Sequence, residues 1–197
     1  MVIYLIRHAQ TLHNKKGKVF SGVSDVLLSS EGEKEALRWK NSPLFENVRR
    51  VYITPLKRTH QTADFIFDKS IERIVIPSLE EMNFGEYEGR VLDEESETDP
   101  VFRLWMNDPE SLVFPSGDSF KEHAEEAFSA FKEIAENETA EEIAIVSHRT
   151  TIRLILTQLL GRSLGTFRDV PCDNCSAAKI IYKDGKFEIV NMNIKAE

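Results

Sequence analysis

Apolar positions along this chain fall into two arrangements, short unbroken runs and longer stripes at helical spacing. The runs "VIYLI" (2–6), "RVYIT" (50–54), "RIVIP" (73–77) and "EIAIVSH" (142–148) read as strands, the first as a buried one. Between the first two, "LLSSEGEKEALRWK" reads as a helix opened by a capping box, with Ser30 three residues before Glu33. Thr54 and Pro55 fit the N-cap and first position of a helix carrying "LKRTHQTADFIF". A clear amphipathic helix is predicted from Ser119 to about Asn137, with Phe120, Ala124, Phe128, Phe131 and Ala135 on one face. Aromatics at that spacing are core residues, not a cofactor box. "TTIRLILTQLLG" is a helix stopped by Gly161, and "AAKIIYKDGKFEIVNMN" is a hairpin around Asp184-Gly185. Residues 79–117, broken by Gly85, Gly89, Pro100, Pro109 and Pro115, read as a long excursion holding a short helix around 102–106.

This alternation predicts an α/β fold of three layers, a mostly parallel central sheet flanked by helices, with a C-terminal hairpin. No repeat, low-complexity tract or linker interrupts the 197 residues, so one domain spanning 1–197 is expected. A net charge of -8 argues against nucleic-acid or membrane-surface partners, though a local basic pocket could sit inside that acidic envelope. The apolar runs are too short to span a bilayer and no secretory leader is recognisable, so the expected location is the cytoplasm. Cys172 and Cys175 are the two cysteines. A C-x-x-C pair can be half a zinc site or a redox pair, but no second pair has matching spacing, and a structural role is expected.

In sheets of this kind ligands gather outside the carboxyl ends of the strands. The first strand ends on Arg7-His8, and the second is followed by Arg58 in the first turn of the next helix. The fourth ends on Ser147-His148, directly before a helix whose first N–H groups favour an anion. Two arginines, two histidines and a helix N-terminus would thus meet on one rim. Guanidinium forks match phosphate oxygens, whereas a divalent metal would be repelled by the fixed cations; no metal or other cofactor is expected. A neutral imidazole in such a pocket can attack phosphorus, and a protonated one can stabilise the transferring group. Neighbouring arginines would hold a nucleophilic imidazole neutral. The leaving oxygen needs a proton, and "LEEMNFGEYEG" offers Glu80, Glu81, Glu86 and Glu88, among which the physics does not choose. Taken singly each piece is weak: Arg58 could be a surface charge, and His13, His60 and His123 are most simply solvated.

Together these residues resemble the histidine phosphatase superfamily, the phosphoglycerate mutase-like fold. "LIRHAQT" resembles its R-H-[GA]-x-T opening, and "SGVSDVLLSSEG" the G-x-x-D-x-x-L-[ST]-x-x-G segment. "TPLKRTHQTA" resembles S-P-L-x-R-[AT]-x-Q-T-A, "LEEMNFGEYEG" resembles L-x-E-x-x-[FL]-G-x-[WF]-E-G, and "IVSH" the second histidine block. The blocks stand in family order across residues 3–160. The resemblance implies that His8 becomes phosphohistidine, that Arg7, Arg58 and His148 clamp the phosphoryl group, and that Glu81 is acid and then base. It places Asn14 against phosphate, and Ser21 and Gly22 in the substrate pocket. Thr11 belongs to the opening block and joins the candidate substrate-binding residues.

Two departures stand out. Relatives commonly carry glycine after the second histidine, where this chain has Arg149, which either points outward or faces the substrate and selects more highly charged phosphates. Leu27 replaces a frequent proline, a loop adjustment. The insertion that shields the site in phosphoglycerate mutases is absent from the pattern, which favours a phosphatase acting on a small-molecule phosphate ester. "NFGEYEG", Trp105, "FPSGDS" and "NCS" come nearest to alpha-ribazole phosphatases of the cobalamin pathway and to broad-specificity relatives, with Asp118 in place of a usual glutamate. The alternatives are a cofactor-dependent phosphoglycerate mutase and a non-catalytic phosphate- or phosphoprotein-binding module. A monomer or homodimer is expected.

Overall fold

The computed structural model describes residues 1–15, 19–91 and 98–196. In chain order its main elements are β1 (Val2–Arg7), α1 (Leu12–Lys15), α2 (Ser30–Arg38), β2 (Arg50–Ile53), α3 (Lys57–Ile66) and β3 (Glu72–Val75). They are followed by α4 (Pro100–Asn107), α5 (Phe120–Asn137), β4 (Glu142–Ser147), α6 (Arg149–Leu159), β5 (Ala177–Lys183) and β6 (Lys186–Ile194). The six strands form one sheet in the order β3-β2-β4-β1-β5-β6. The first four are mutually parallel, and the hairpin strands β5 and β6 are antiparallel.

Burial on both faces explains the unbroken apolar runs. Along β1 and β4, Ile3, Leu5, Ile143 and Ile145 face one way and pack with Phe131 and Ile134 of α5 and Ile152 and Ile155 of α6. The alternate residues Tyr4, Ile6, Ala144 and Val146 face the other way, against Ala36, Trp39, Ala63 and Ile66. Helices therefore cover both faces and the fold is the three-layer α/β arrangement expected. Within α5, Phe120, Ala124, Phe131 and Ala135 are buried, while Phe128 is half-buried against the same core. Gly161, at φ +65°, stands just past α6, and Asp184-Gly185, at φ 51° and 74°, makes the hairpin turn.

Two helix starts differ from the sequence reading. The N-cap of α2 is Ser29, not Ser30: Ser29 accepts from the Gly32 N–H. Gly32 packs so closely on Gln10 that a Cβ there would lie 2.0 Å from the Gln10 carbonyl oxygen, which pins the helix in this register. Likewise α3 begins at Lys57 behind Leu56, because the Thr54 hydroxyl is committed to His148 and Thr59 instead of capping a helix. The excursion expected over 79–117 is organised by a third core, in which Phe20, Met82, Phe84, Tyr87, Trp105, Leu112, Phe114, Phe120 and Phe167 cluster. Its short helix is α4; residues 92–97 lie outside the described residues. No helix among the described residues is long and apolar enough to cross a membrane.

Candidate active site

Strand register assembles the site. Arg7 stands opposite Ser147 in the parallel β1–β4 pair, and the His8 N–H donates to the Ser147 carbonyl at 2.9 Å. His8 and His148 thus leave the sheet side by side, their rings 5.3 Å apart. On the other side of β4, Ile53 stands opposite Val146, so Thr54 arrives beside His148. Arg58 reaches in from the first turn of α3. The segment carrying Glu81 is tied to the same rim by the Ser147 hydroxyl, which donates to the Leu79 carbonyl at 2.7 Å. Arg7, His8, Arg58, Glu81 and His148 are all buried, Arg58 and His148 almost completely, at 1% and 0% exposure.

Hydrogen bonding fixes the tautomer of both histidines. Nδ1 of His8 lies 2.8 Å from the Ala9 carbonyl, which can only accept, so Nδ1 carries the proton and Nε2 a lone pair. Nδ1 of His148 accepts from Arg58 Nε at 3.1 Å, so its proton sits on Nε2 and is donated to the Thr54 hydroxyl at 2.9 Å. Thr59 donates to the Leu56 carbonyl at 2.8 Å and is free to accept from Thr54 at 3.1 Å, completing a directional chain. Burial pushes both imidazoles well below the usual histidine value, and the Arg58 charge pushes the same way. Both shifts favour the neutral imidazole, the form that suits a nucleophile.

The arginines are held by backbone. Arg58 donates from its two terminal nitrogens to the Ser24 and Gly22 carbonyls at 2.7 and 2.6 Å. Arg7 donates to the Cys172 carbonyl at 2.9 Å, and its Nε is buried without a partner. Glu81 sits at the N-terminus of α6. Its Oε2 accepts from the Thr150 N–H at 3.0 Å and its Oε1 from the Met82 N–H at 3.1 Å. The carboxylate is thereby oriented beside the two histidines' rim.

The four candidate substrate-binding residues divide. Thr11 and Asn14 lock each other: Asn14 Oδ1 accepts from the Thr11 N–H and hydroxyl, and the Thr11 hydroxyl accepts from the Asn14 N–H. Asn174 donates both to Asn14 Oδ1 and to the His8 carbonyl, joining this turn to the backbone of His8. Ser21 is bonded to His13, 3.1 Å away. Gly22 contributes its carbonyl to Arg58, and its lack of a side chain is required, because a Cβ would lie 2.0 Å from the Met82 carbonyl oxygen.

Several groups hold roles here other than those the sequence suggested. Glu88 gathers the N–H groups of Gly22, Val23 and Phe84 and the Ser24 hydroxyl, and so builds the loop whose carbonyls hold Arg58. Thr54 and Asn174 were legible only as a helix cap and as part of "NCS". His123 is not solvated: its Nε2 lies 3.1 Å from the Thr151 hydroxyl, which donates to the Glu80 carbonyl at 2.5 Å. His60 and His13 are half-buried, and His60 Nε2 is enclosed without a partner. The cysteines are free and buried, and burial raises both thiols, Cys175 to about 12. Their carbonyls, bonded to Arg7 and to the Trp39 indole, are what the site uses. Arg149 is exposed, and Leu27 is an exposed loop residue whose carbonyl accepts from Leu12.

Comparison with known proteins matches residues 3–195 to the Histidine phosphatase superfamily (branch 1). The chain belongs to that superfamily. Phosphoserine phosphatase 1 of Hydrogenobacter thermophilus is 29% identical over 194 residues, 98% of this chain and 92% of that protein. A protein named probable phosphoglycerate mutase GpmB, from Erwinia tasmaniensis, is 30% identical over 90% of this chain and 83% of its own length. Among solved structures, the alpha-ribazole phosphatase of Shigella flexneri superposes with a TM-score of 0.88 at 23% identity, covering 100% of both chains. The superfamily's fold is the one described above.

Proposed function

We propose that this chain is a phosphomonoesterase that hydrolyses a small-molecule phosphate ester through a phosphohistidine at His8, as one catalytic domain and without metal. The observation that carries the reading is the His8 tautomer: the Ala9 carbonyl holds the proton on Nδ1 and leaves the Nε2 lone pair for phosphorus. Attack forms the N–P bond and breaks the P–O bond to the alcohol, whose oxygen takes a proton from Glu81. Water then attacks phosphorus, gives a proton to Glu81, and restores the His8 lone pair as phosphate leaves. Arg7 and Arg58 supply fixed cations to the phosphoryl oxygens. His148 steadies Arg58 and turns its Nε2–H from Thr54 to a phosphoryl oxygen. Thr11 and Asn14 shape the turn after the nucleophile, and Ser21 and Gly22 border the pocket.

Support for a phosphatase comes from the superfamily and from the phosphatase-named relative. Motif likeness makes alpha-ribazole 5'-phosphate one candidate substrate, and the 29% identical relative makes phosphoserine another. Neither a nucleic acid nor a membrane is required as partner. The test is hydrolysis of p-nitrophenyl phosphate in excess chelator, with trapping of an acid-labile, alkali-stable phosphoenzyme. His8→Ala is expected to lose both turnover and trapped phosphate while keeping its fold. Wild-type-like turnover in that variant defeats the covalent route, activity restored only by one metal defeats the metal-free mechanism, and phosphoryl isomerisation without hydrolysis makes the protein a mutase.

A further inference from the structure

Beside the phosphoryl site runs a row of arginines that starts at Arg7, and its other members, Arg149, Arg153 and Arg168, are not used by this mechanism. Arg153 donates from Nε to the Val170 carbonyl at 2.8 Å, and Arg7 donates to the Cys172 carbonyl at 2.9 Å. Val170 is extended, and carbonyls two residues apart on an extended chain lie about 6–7 Å apart on the same side. The two guanidiniums are thus held on carbonyls two residues apart, and the charge of Arg7 bears on Arg153. Arg149 precedes Arg153 by one turn of α6, so its side chain starts about 5–6 Å from that of Arg153, next to His148. Arg168 closes the row, stacked on Trp105 and Phe167 with its head on the Trp105 carbonyl.

Arg7, Arg153 and Arg168 each donate to a backbone carbonyl. Among the described residues none of them is ion-paired with a carboxylate. That is unexpected in a chain with 33 acidic and 25 basic residues. The charges bear on one another. Burial lowers Arg7, Arg153 and Arg168, the last two to about 10, and the charge of Arg149 lowers all three further. Arg149 also occupies the first position of α6, where the helix dipole disfavours a cation. Glu81 at the same terminus offsets only part of this. A second anion would relieve the row, and the buried, unpartnered Nε of Arg7 shows that the donors there are not all spent.

We propose that Arg149, backed by Arg153, is a second anion site beside the phosphoryl site, and that the preferred substrates are phosphomonoesters whose alcohol carries another acid group. This rests on the reading of His8 and Arg7 as the phosphoryl site. Either a carboxylate or a second phosphate matches an exposed guanidinium fork.

Three esters of one carbon skeleton test it: glycerol 3-phosphate, 3-phosphoglycerate and glycerol 1,3-bisphosphate, compared by kcat/KM in wild type, Arg149→Ala and Arg149→Lys. The wild type should favour the acid-bearing esters, and Arg149→Ala should cut that preference on the order of tenfold, mainly through KM. Arg149→Lys should keep part of the preference, and the ratio between the two acid-bearing esters tells carboxylate from phosphate. An equal loss on all three esters, or an unchanged preference, overturns the proposal. A parallel arm measures binding of the same esters by calorimetry to His8→Ala with and without Arg149→Ala, and needs no turnover. If wild type hydrolyses nothing, the phosphatase reading falls by itself and the binding arm decides the anion site.

Discussion

Arg58 donates its Nε–H to Nδ1 of His148 at 3.1 Å, so the fixed cation of the site and its second histidine form one unit. The same guanidinium spans the carbonyls of Gly22 and Ser24. A lysine keeps the charge but cannot serve three acceptors in a plane. Arg58→Lys is expected to lose on the order of a hundredfold in kcat/KM for p-nitrophenyl phosphate. Steady-state kinetics check it; retention of near-wild-type activity would mean that charge alone matters.

Glu81 is aimed by the Thr150 and Met82 N–H groups; a glutamine oxygen can accept from only one of the two, so Glu81→Gln removes the proton and one of these bonds while keeping the size. Glu81→Gln should therefore hurt esters with poor leaving groups most, by about 10²-fold or more for alkyl phosphates, and p-nitrophenyl phosphate much less. Equal losses across a leaving-group series would assign Glu81 to structure.

Gly22 leaves no room for a methyl group between the Met82 carbonyl and Glu88. Gly22→Ala is expected to cost about 2 kcal/mol, which for a chain of this size lowers Tm by about 4–8 °C. Because Gly22 also holds Arg58, activity should fall with stability. Differential scanning calorimetry beside an activity assay reads both; an unchanged Tm contradicts the packing described.

His8, His148 and His123 all have pKa values held below the ordinary 6.5, chiefly by burial. Below about pH 6.5 the unfolded chain binds protons that the native chain refuses, so stability is full above that pH and declines as pH falls. Each histidine contributes up to about 1.4 kcal/mol per pH unit in that window. Urea midpoints at three values from pH 7.5 to 5.5 should fall steadily on acidification. A flat series would show that the three rings titrate normally.

Strand positions and four of the candidate site residues, Arg7, His8, Arg58 and His148, were legible from local signals, apolar runs and the polar residues at or just after their ends, whereas Glu81 was singled out among four glutamates only by the family resemblance. Arg7, His8 and His148 could be placed from strand order alone. What escaped the sequence depends on partners distant along the chain. Ser29 caps α2 in place of Ser30 because Gly32 is pressed against Gln10. Thr54 looks like a cap until His148 arrives to claim its hydroxyl. Glu88 is one of four glutamates in a short stretch, and only the approach of 22–24 shows which one builds the loop. His123 lies on a helix face that α6 encloses, which no periodicity within α5 reveals.

The place of β1 in the sheet has a consequence for how the protein comes to life on the ribosome. The strand that carries His8 pairs with Glu142–Ser147 on one side and Ala177–Lys183 on the other, and the Cys172 and Ser176 carbonyls hold Arg7. His8 precedes β4 and β5 in the chain, so both strands that pair with its own are made after it. A chain synthesised only as far as residue 140 therefore lacks both strands that flank β1 and the carbonyls that hold Arg7, so the rim on which His8 stands is unassembled in it.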